Sequence, residues 1–117
     1  MADKDDLGRR GEAIAATWLE QQGMTVIARN WRCSMGEIDI ILRDGATTVF
    51  AEVKTRTSTA FGHPFEAITP SKAGRLRRLA AEWCRANSGS EEIRIDVVAV
   101  LGAWSPNPSV EHVSGAV

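Results

Sequence analysis

The sequence predicts an α/β fold, a central mixed β-sheet flanked by helices, with the core order helix, three strands, helix, strand. Three observations carry this. Segments 6–22 and 70–87 repeat their apolar residues at the 3.6-residue helical period. Between them lie three strand-like runs, the last two joined by Asp44-Gly45, a strong hairpin signal. After the second helix comes an apolar run from Ile93 to Leu101. A right-handed helical crossover sets that run parallel to the third strand.

In the first helix, Asp5 or Asp6 is the cap, and Leu7, Gly11, Ile14, Ala15, Trp18 and Leu19 form one apolar stripe ended by Gly23. Glu12 lies on the stripe's margin, about 20° from Leu19. Its carboxylate either sits at the core boundary with its stem over apolar surface or points into a site between helix and sheet. Met24–Asn30 reads as the first strand, 31–35 as a connection and Glu37–Arg43 as the second strand. Strict alternation puts Ile38, Ile40 and Leu42 on one face and Glu37, Asp39 and Ile41 on the other. In the third strand, Thr47–Lys54, Val49, Ala51 and Val53 oppose Phe50, Glu52 and Lys54, so Glu52 and Lys54 share a face roughly 6–7 Å apart.

A polar loop, 55–69, leads to the second helix, with Thr69 as cap and Pro70 at the first helical position. Its stripe is Ala73, Leu76, Leu79, Ala80 and Trp83. Lys72 projects toward the stripe, and Arg75, Arg78 and Arg85 project away from it. Ser88-Gly89-Ser90 ends the helix, and Val110–Val113 is expected as a short edge strand after a turn at 105–108.

The 117 residues suffice for one domain, 1–117, and are too few for two. Net charge is -1, but 54–78 holds six Lys/Arg against Glu66 alone, a local +5 of the kind that meets phosphates. A solvated helix face is the plainer reading of the same charges. Cys33 and Cys84 are too few and too far apart for a disulfide framework or a zinc motif. The N-terminus has no signal-peptide core, and no run approaches the ~18 apolar residues of a membrane span. A soluble, cytoplasmic protein with free thiols and no membrane partner is expected.

The densest chemistry lies in Gly36-Glu37-Ile38-Asp39 and in Glu52-Val53-Lys54, with twelve residues between Asp39 and Glu52. Two carboxylates converging on Mg²⁺ or Mn²⁺ make a hard oxygen site with water positions open to substrate. Asp39 and Glu52 suit that role, with the Val53 carbonyl as a third ligand. Lys54 can hold the attacking water and stabilise the pentavalent phosphate. Such chemistry needs no organic cofactor. The alternative is a hairpin carrying solvated charges, and the residues alone leave both readings open. The apolar content of the hairpin makes buried Asp39, Glu52 and Lys54 costly unless paired or metal-bound.

Arg56 is placed to fork onto the adjacent phosphate, and Lys72 stands where a helix N-terminus favours an anion. Arg75 and Arg78 are weaker candidates for DNA contact. His63 and His112 read as incidental loop and edge-surface residues, Trp18 and Trp83 as core, and Trp31 as an open case beside the site. Cys84 reads as buried and inert. Asp96, inside an apolar strand, reads as an anchor for a buried arginine or for the loop after Lys54.

Ordered motifs extend across nearly the whole chain: Leu7-Gly8, Gly11-Glu12 and Ala15; Asn30-Trp31-Arg32; Gly36 to Ile41; Phe50 to Arg56; Phe61-Gly62, Pro64, Glu66-Ala67 and Lys72; Arg94 to Val98. In these the chain resembles the bacterial UPF0102 (YraN-like) family of predicted endonucleases. That family is itself similar to archaeal Holliday-junction resolvases and the restriction-endonuclease-like, PD-(D/E)xK, superfamily. The resemblance implies a restriction-endonuclease-like fold and a metal-dependent DNA endonuclease. It makes Asp39 the metal aspartate, Glu52 and Lys54 the (D/E)xK pair, and Glu12 the glutamate reaching the metal from the first helix. Ile38-Asp39 stands in place of a literal Pro-Asp, and Glu37 has no assigned role beyond two alternatives, orienting a metal water or pairing with a nearby arginine. Branched, flapped or single-stranded DNA is the expected substrate. Symmetric junction cutting would require a homodimer, for which Trp104 and the apolar tail are the only hint. The alternative is a non-catalytic nucleic-acid-binding accessory protein of DNA repair or recombination.

Overall fold

The computed structural model describes residues 4–57, 65, 68–87 and 92–116. The first apolar stripe winds into α1 (Lys4–Gln21), two residues earlier than its cap suggested. Gly23, at φ +99°, closes it, with Met24 N–H returning to the Leu19 carbonyl at 3.2 Å. Three antiparallel strands follow: β1 (Thr25–Cys33), β2 (Gly36–Asp44) and β3 (Thr47–Arg56). Helix α2 (Pro70–Asn87) begins where Thr69 Oγ1 accepts the Lys72 N–H at 3.2 Å, the expected cap. Strand β4 (Ile93–Leu101) runs parallel to β3, and β5 (Ser109–Val113) closes the edge, giving the order β1-β2-β3-β4-β5. His63, most of the 55–69 loop and Ser88-Gly89-Ser90 lie outside the described residues. Among those described, no helix is long and apolar enough to cross a membrane.

The sheet has one core on each face. Ala15, Ala16 and Leu19 of α1 pack on Ile40, Leu42, Val49, Ala51, Val98 and Val100. Leu76, Leu79, Ala80 and Trp83 of α2 pack on Ile38, Ile41, Phe50 and Ile95, with Trp83 edge-on to Phe50 at 5.7 Å. This is the predicted α/β arrangement.

Ile38 therefore faces α2 while Ile40 and Leu42 face α1, so strict alternation fails within β2. The break falls between the pairs Arg29↔Ile40 and Trp31↔Ile38, where Asn30 stands across from Asp39. Asn30 has φ +54°, a left-handed conformation that asparagine tolerates better than most residues. Both strands turn over together there, and their register continues unchanged. Strand β1 runs on through Trp31 to Cys33, and Trp31 packs against the α2-side core instead of lying in a connection beside the site.

Helix α1 lies against the end of β3 at Gly11. A Cβ built there would stand 1.8 Å from Thr55 Oγ1, so only glycine permits this approach. On β4, across from Ala51 of β3, fully buried Asp96 takes two hydrogen bonds from Arg94 (2.9 and 3.0 Å) and one from the Gly115 N–H (2.9 Å). His112 Nε2 lies 2.7 Å from Asp96, and its ring meets Trp18 edge-on at 5.5 Å. His112 is thus a packed residue and not a surface one, and the arginine that Asp96 anchors is on its own strand. Cys33 and Cys84 are free thiols, half-buried, and burial pushes that of Cys84 up.

Candidate functional site

The backbone pairing of β2 with β3 stops at Ile40↔Ala51. Past that point Asp39 Oδ2 accepts the Val53 N–H at 2.8 Å, so a carboxylate replaces a main-chain carbonyl where the strands part. Glu12 arrives from α1, held close by the Gly11–Thr55 contact. Glu37 lies two residues before Asp39 on the same face. One carboxylate oxygen from each of Glu12, Glu37 and Asp39 lies within 4.8 Å of the others.

The electrostatics of this group are unfavourable as it stands. Burial, then the nearby Glu52 carboxylate, pushes the Asp39 pKa up to about 7, with Glu12 and Glu37 adding to the rise and the Val53 N–H opposing it. Glu12 is also raised, by burial and then by Glu37, while Arg29 and Arg32 pull it down. Glu12 Oε1 is buried with no hydrogen-bond partner. A buried, unpartnered carboxylate oxygen is expensive, and a hard divalent cation relieves both that cost and the mutual repulsion. The donor set fits such an ion.

Two of the carboxylates, Glu37 in the cluster and Glu52 beside it, already have cationic partners. Glu52 Oε1 pairs with Lys54 Nζ at 3.1 Å, both side chains largely buried. Glu37 Oε2 pairs with Arg32 Nε at 2.5 Å, directly across the β1–β2 ladder. A cleft of about 570 Å³ opens between α1 and the end of β3, lined by Gly8, Glu12, Asp39, Val53, Lys54 and Arg56 among others.

Of the residues singled out in the sequence, Glu12 and Asp39 each bring a carboxylate oxygen within 4.8 Å of the other. Glu52 and Lys54 stand beside them as an ion pair, with Glu52 outside the three-carboxylate group. The observed contact of Val53 is through its N–H. Arg56 is exposed on the cleft wall, its guanidinium bonded to the Thr55 carbonyl at 3.0 Å. Lys72, Arg75 and Arg78 belong to α2 on the other face and do not line the cleft. The stem of Arg75 nonetheless reaches the β1–β2 turn, where a Cβ on Gly36 would lie 3.9 Å from it. Sequence reasoning left Glu37 between orienting a metal water and pairing with a nearby arginine, and the structure pairs it with Arg32; Arg29 was passed over. The place of Arg32 directly across the hairpin from Glu37 was the available signal.

Fold and site together define an α/β protein with a carboxylate cluster able to hold a divalent cation at the parted edge of a mixed sheet. The chain belongs to the uncharacterised protein family UPF0102, whose model matches residues 11–100. A UPF0102 protein of Leifsonia xyli subsp. xyli (strain CTCB07) is 59% identical over 118 residues, spanning 100% of both chains. Those of Arthrobacter sp. (strain FB24) and Acidothermus cellulolyticus (strain ATCC 43068 / DSM 8971 / 11B) are 56% and 46% identical, covering 98% and 97% of this chain and 98% and 94% of their own.

Proposed function

We propose that the chain is a single-domain, divalent-metal-dependent endonuclease that hydrolyses phosphodiester bonds in DNA. The observation that carries this is the buried, unpartnered Glu12 oxygen among three converging carboxylates, with Lys54 on the same cleft. The likeness of Asp39, Glu52 and Lys54 to the PD-(D/E)xK pattern supports the same reading.

Asp39 and Glu12, with Glu37 or Glu52, would hold Mg²⁺ or Mn²⁺. The ion would supply charge neutralisation at the scissile phosphate and a more acidic water. Asp39 is oriented by the Val53 N–H, which leaves its other oxygen free to act as a ligand. Lys54, held by Glu52, presents a fixed positive charge to the attacking water and to the charge building on phosphorus. Arg56 at the cleft wall binds a neighbouring phosphate. Lys72, Arg75 and Arg78 are assigned to more distant contact with a branched or flapped substrate.

The test is cleavage of duplex, single-stranded, flap and four-way DNA in Mg²⁺, Mn²⁺ and EDTA, comparing wild type with Lys54→Ala. Metal-dependent cutting that Lys54→Ala loses supports the reading. Salt-sensitive binding without cutting in any metal would make the chain a binding accessory instead. Paired cuts in a two-fold junction require two copies of the chain. Sedimentation with and without junction DNA decides between paired and single cuts.

A further inference from the structure

The cleft beside Lys54 has a counterpart on the other side of Glu12. A second trough of about 480 Å³ is lined by Gly8, Arg9, Glu12, Asn30, Arg32 and Glu37, among others. The two share Gly8 and Glu12. Nothing would lie within 4 Å of a Cβ at Gly8, so α1 presents bare backbone where they meet. Together they run along the first turns of α1, from the end of β3 to the end of β1, passing over the carboxylates.

Each end of this path carries exposed cations, and at the β1 end they stand among acids, Arg9 paired with Asp6 and Asp5 also on the wall. Lys54 and Arg56 stand at one end. At the other stand Arg9 and Arg32, whose side chains are 66% and 76% exposed. Arg29 and Arg32 both act on Glu12. They are three residues apart and would lie on opposite faces of a regular strand. The turnover at Asn30 brings both to the α1 face. In the structure Arg32 pairs with Glu37, a member of the carboxylate cluster that a cation would also draw on.

We propose that the two troughs form one track for a single nucleic-acid strand, and that Arg32 is a phosphate-binding residue at the end opposite Arg56. This rests on the nuclease reading and deepens it, since it names the strand's path and the class of substrate. The path has two walls, α1 on one side and the strand ends on the other, which suits one backbone and not a duplex. Among the described residues no aromatic ring lines it, so binding follows phosphates and not bases. Arg32 exchanges Glu37 for a phosphate when the strand enters.

The experiment is anisotropy titration of a labelled oligo(dT) in EDTA, so that cleavage does not intervene, over a series of salt concentrations. Arg32→Ala should weaken binding on the order of tenfold, the worth of one charge-assisted hydrogen bond. It should also make the salt slope shallower by about 0.7. Arg32→Ala also leaves Glu37 unneutralised, so the double variant Arg32→Ala/Glu37→Gln separates the two effects. Weak binding by the double variant supports a phosphate contact. Wild-type affinity in the double variant would make Arg32 a mere counter-ion of Glu37 and overturn the proposal. An equally tight duplex with the same Arg32 dependence would overturn the single-strand path. A wild type that cuts DNA with an unchanged Arg32→Ala salt slope defeats this inference alone, whereas a wild type that neither binds nor cuts defeats the nuclease reading with it.

Discussion

Asp39 Oδ2 accepts the main-chain N–H of Val53 at 2.8 Å, at the point where β2 and β3 no longer pair with each other. That bond satisfies a donor at the opening of the fork. It also fixes one acid of the site to the strand that carries Glu52 and Lys54.

The strained state of Asp39 is visible in the pH dependence of stability. The folded chain without metal holds this proton up to about pH 7, whereas an ordinary aspartate releases it near 3.8. Stability without metal therefore falls as pH rises from about 4 to about 7. Asp39→Asn should flatten that slope, leaving the weaker contribution of Glu12, which has the same sign. Mg²⁺ should stabilise the wild type most above pH 7, where it no longer competes with the proton. Thermal melts in EDTA and in Mg²⁺ across this range provide the check. Superimposable wild-type and variant slopes would show that Asp39 is not the group responsible.

Lys54→Ala should keep metal affinity and lose about 10²- to 10³-fold in turnover, the usual cost of removing one charge-stabilising donor. Asp39→Ala should lose both. Calorimetric titration of Mn²⁺ beside single-turnover cleavage separates these outcomes. Equal metal loss in both variants would contradict the division of roles.

Gly11→Ala places a methyl 1.8 Å from Thr55 Oγ1 and 2.7 Å from its Cβ. Helix α1 must then move off β3, at a cost of about 1–3 kcal/mol, and Glu12 moves with it. Thr55→Ala keeps the Cβ and should rescue poorly, while Thr55→Gly should rescue well. Urea unfolding of the single and double variants reads this directly.

Burial alone would raise the pKa of Asp96, but Arg94, the Gly115 N–H and His112 together hold it below the usual carboxylate value. Its ionised form therefore contributes stability above about pH 4, and that contribution is lost as pH falls through the lowered folded value. Asp96→Asn should cost about 3 kcal/mol at neutral pH, because Arg94 and His112 lose a buried partner. The gap between variant and wild type should close in acid. Chemical denaturation at pH 7 and at about pH 3 tests both the size and the direction. Because β3 lies between this network and Asp39, and none of Glu12, Glu37 and Asp39 takes part in it, metal binding by refolded variant should remain.

The sequence by itself determined the elements and their order. The stripes of α1 and α2 and the turn Asp44-Gly45 are local patterns, and a crossover through a helix has one favoured hand. Glu52 and Lys54 were also legible, because β3 keeps a strict period of two and their ion pair spans one such step. Tertiary structure decided the rest of the site. The left-handed Asn30 turns over the β1–β2 ribbon opposite Asp39, and no pattern of apolar residues announces that step. It sends Ile38 to the α2 face and brings Arg29, Arg32 and Glu37 to Glu12. The burial of His112 likewise depends on Asp96 and Trp18, which are far from it in sequence and meet it only when α1 and β5 close on the same face of the sheet. Periodicity reports which way a side chain points only while the backbone stays regular, and this site is built where the backbone departs from regularity.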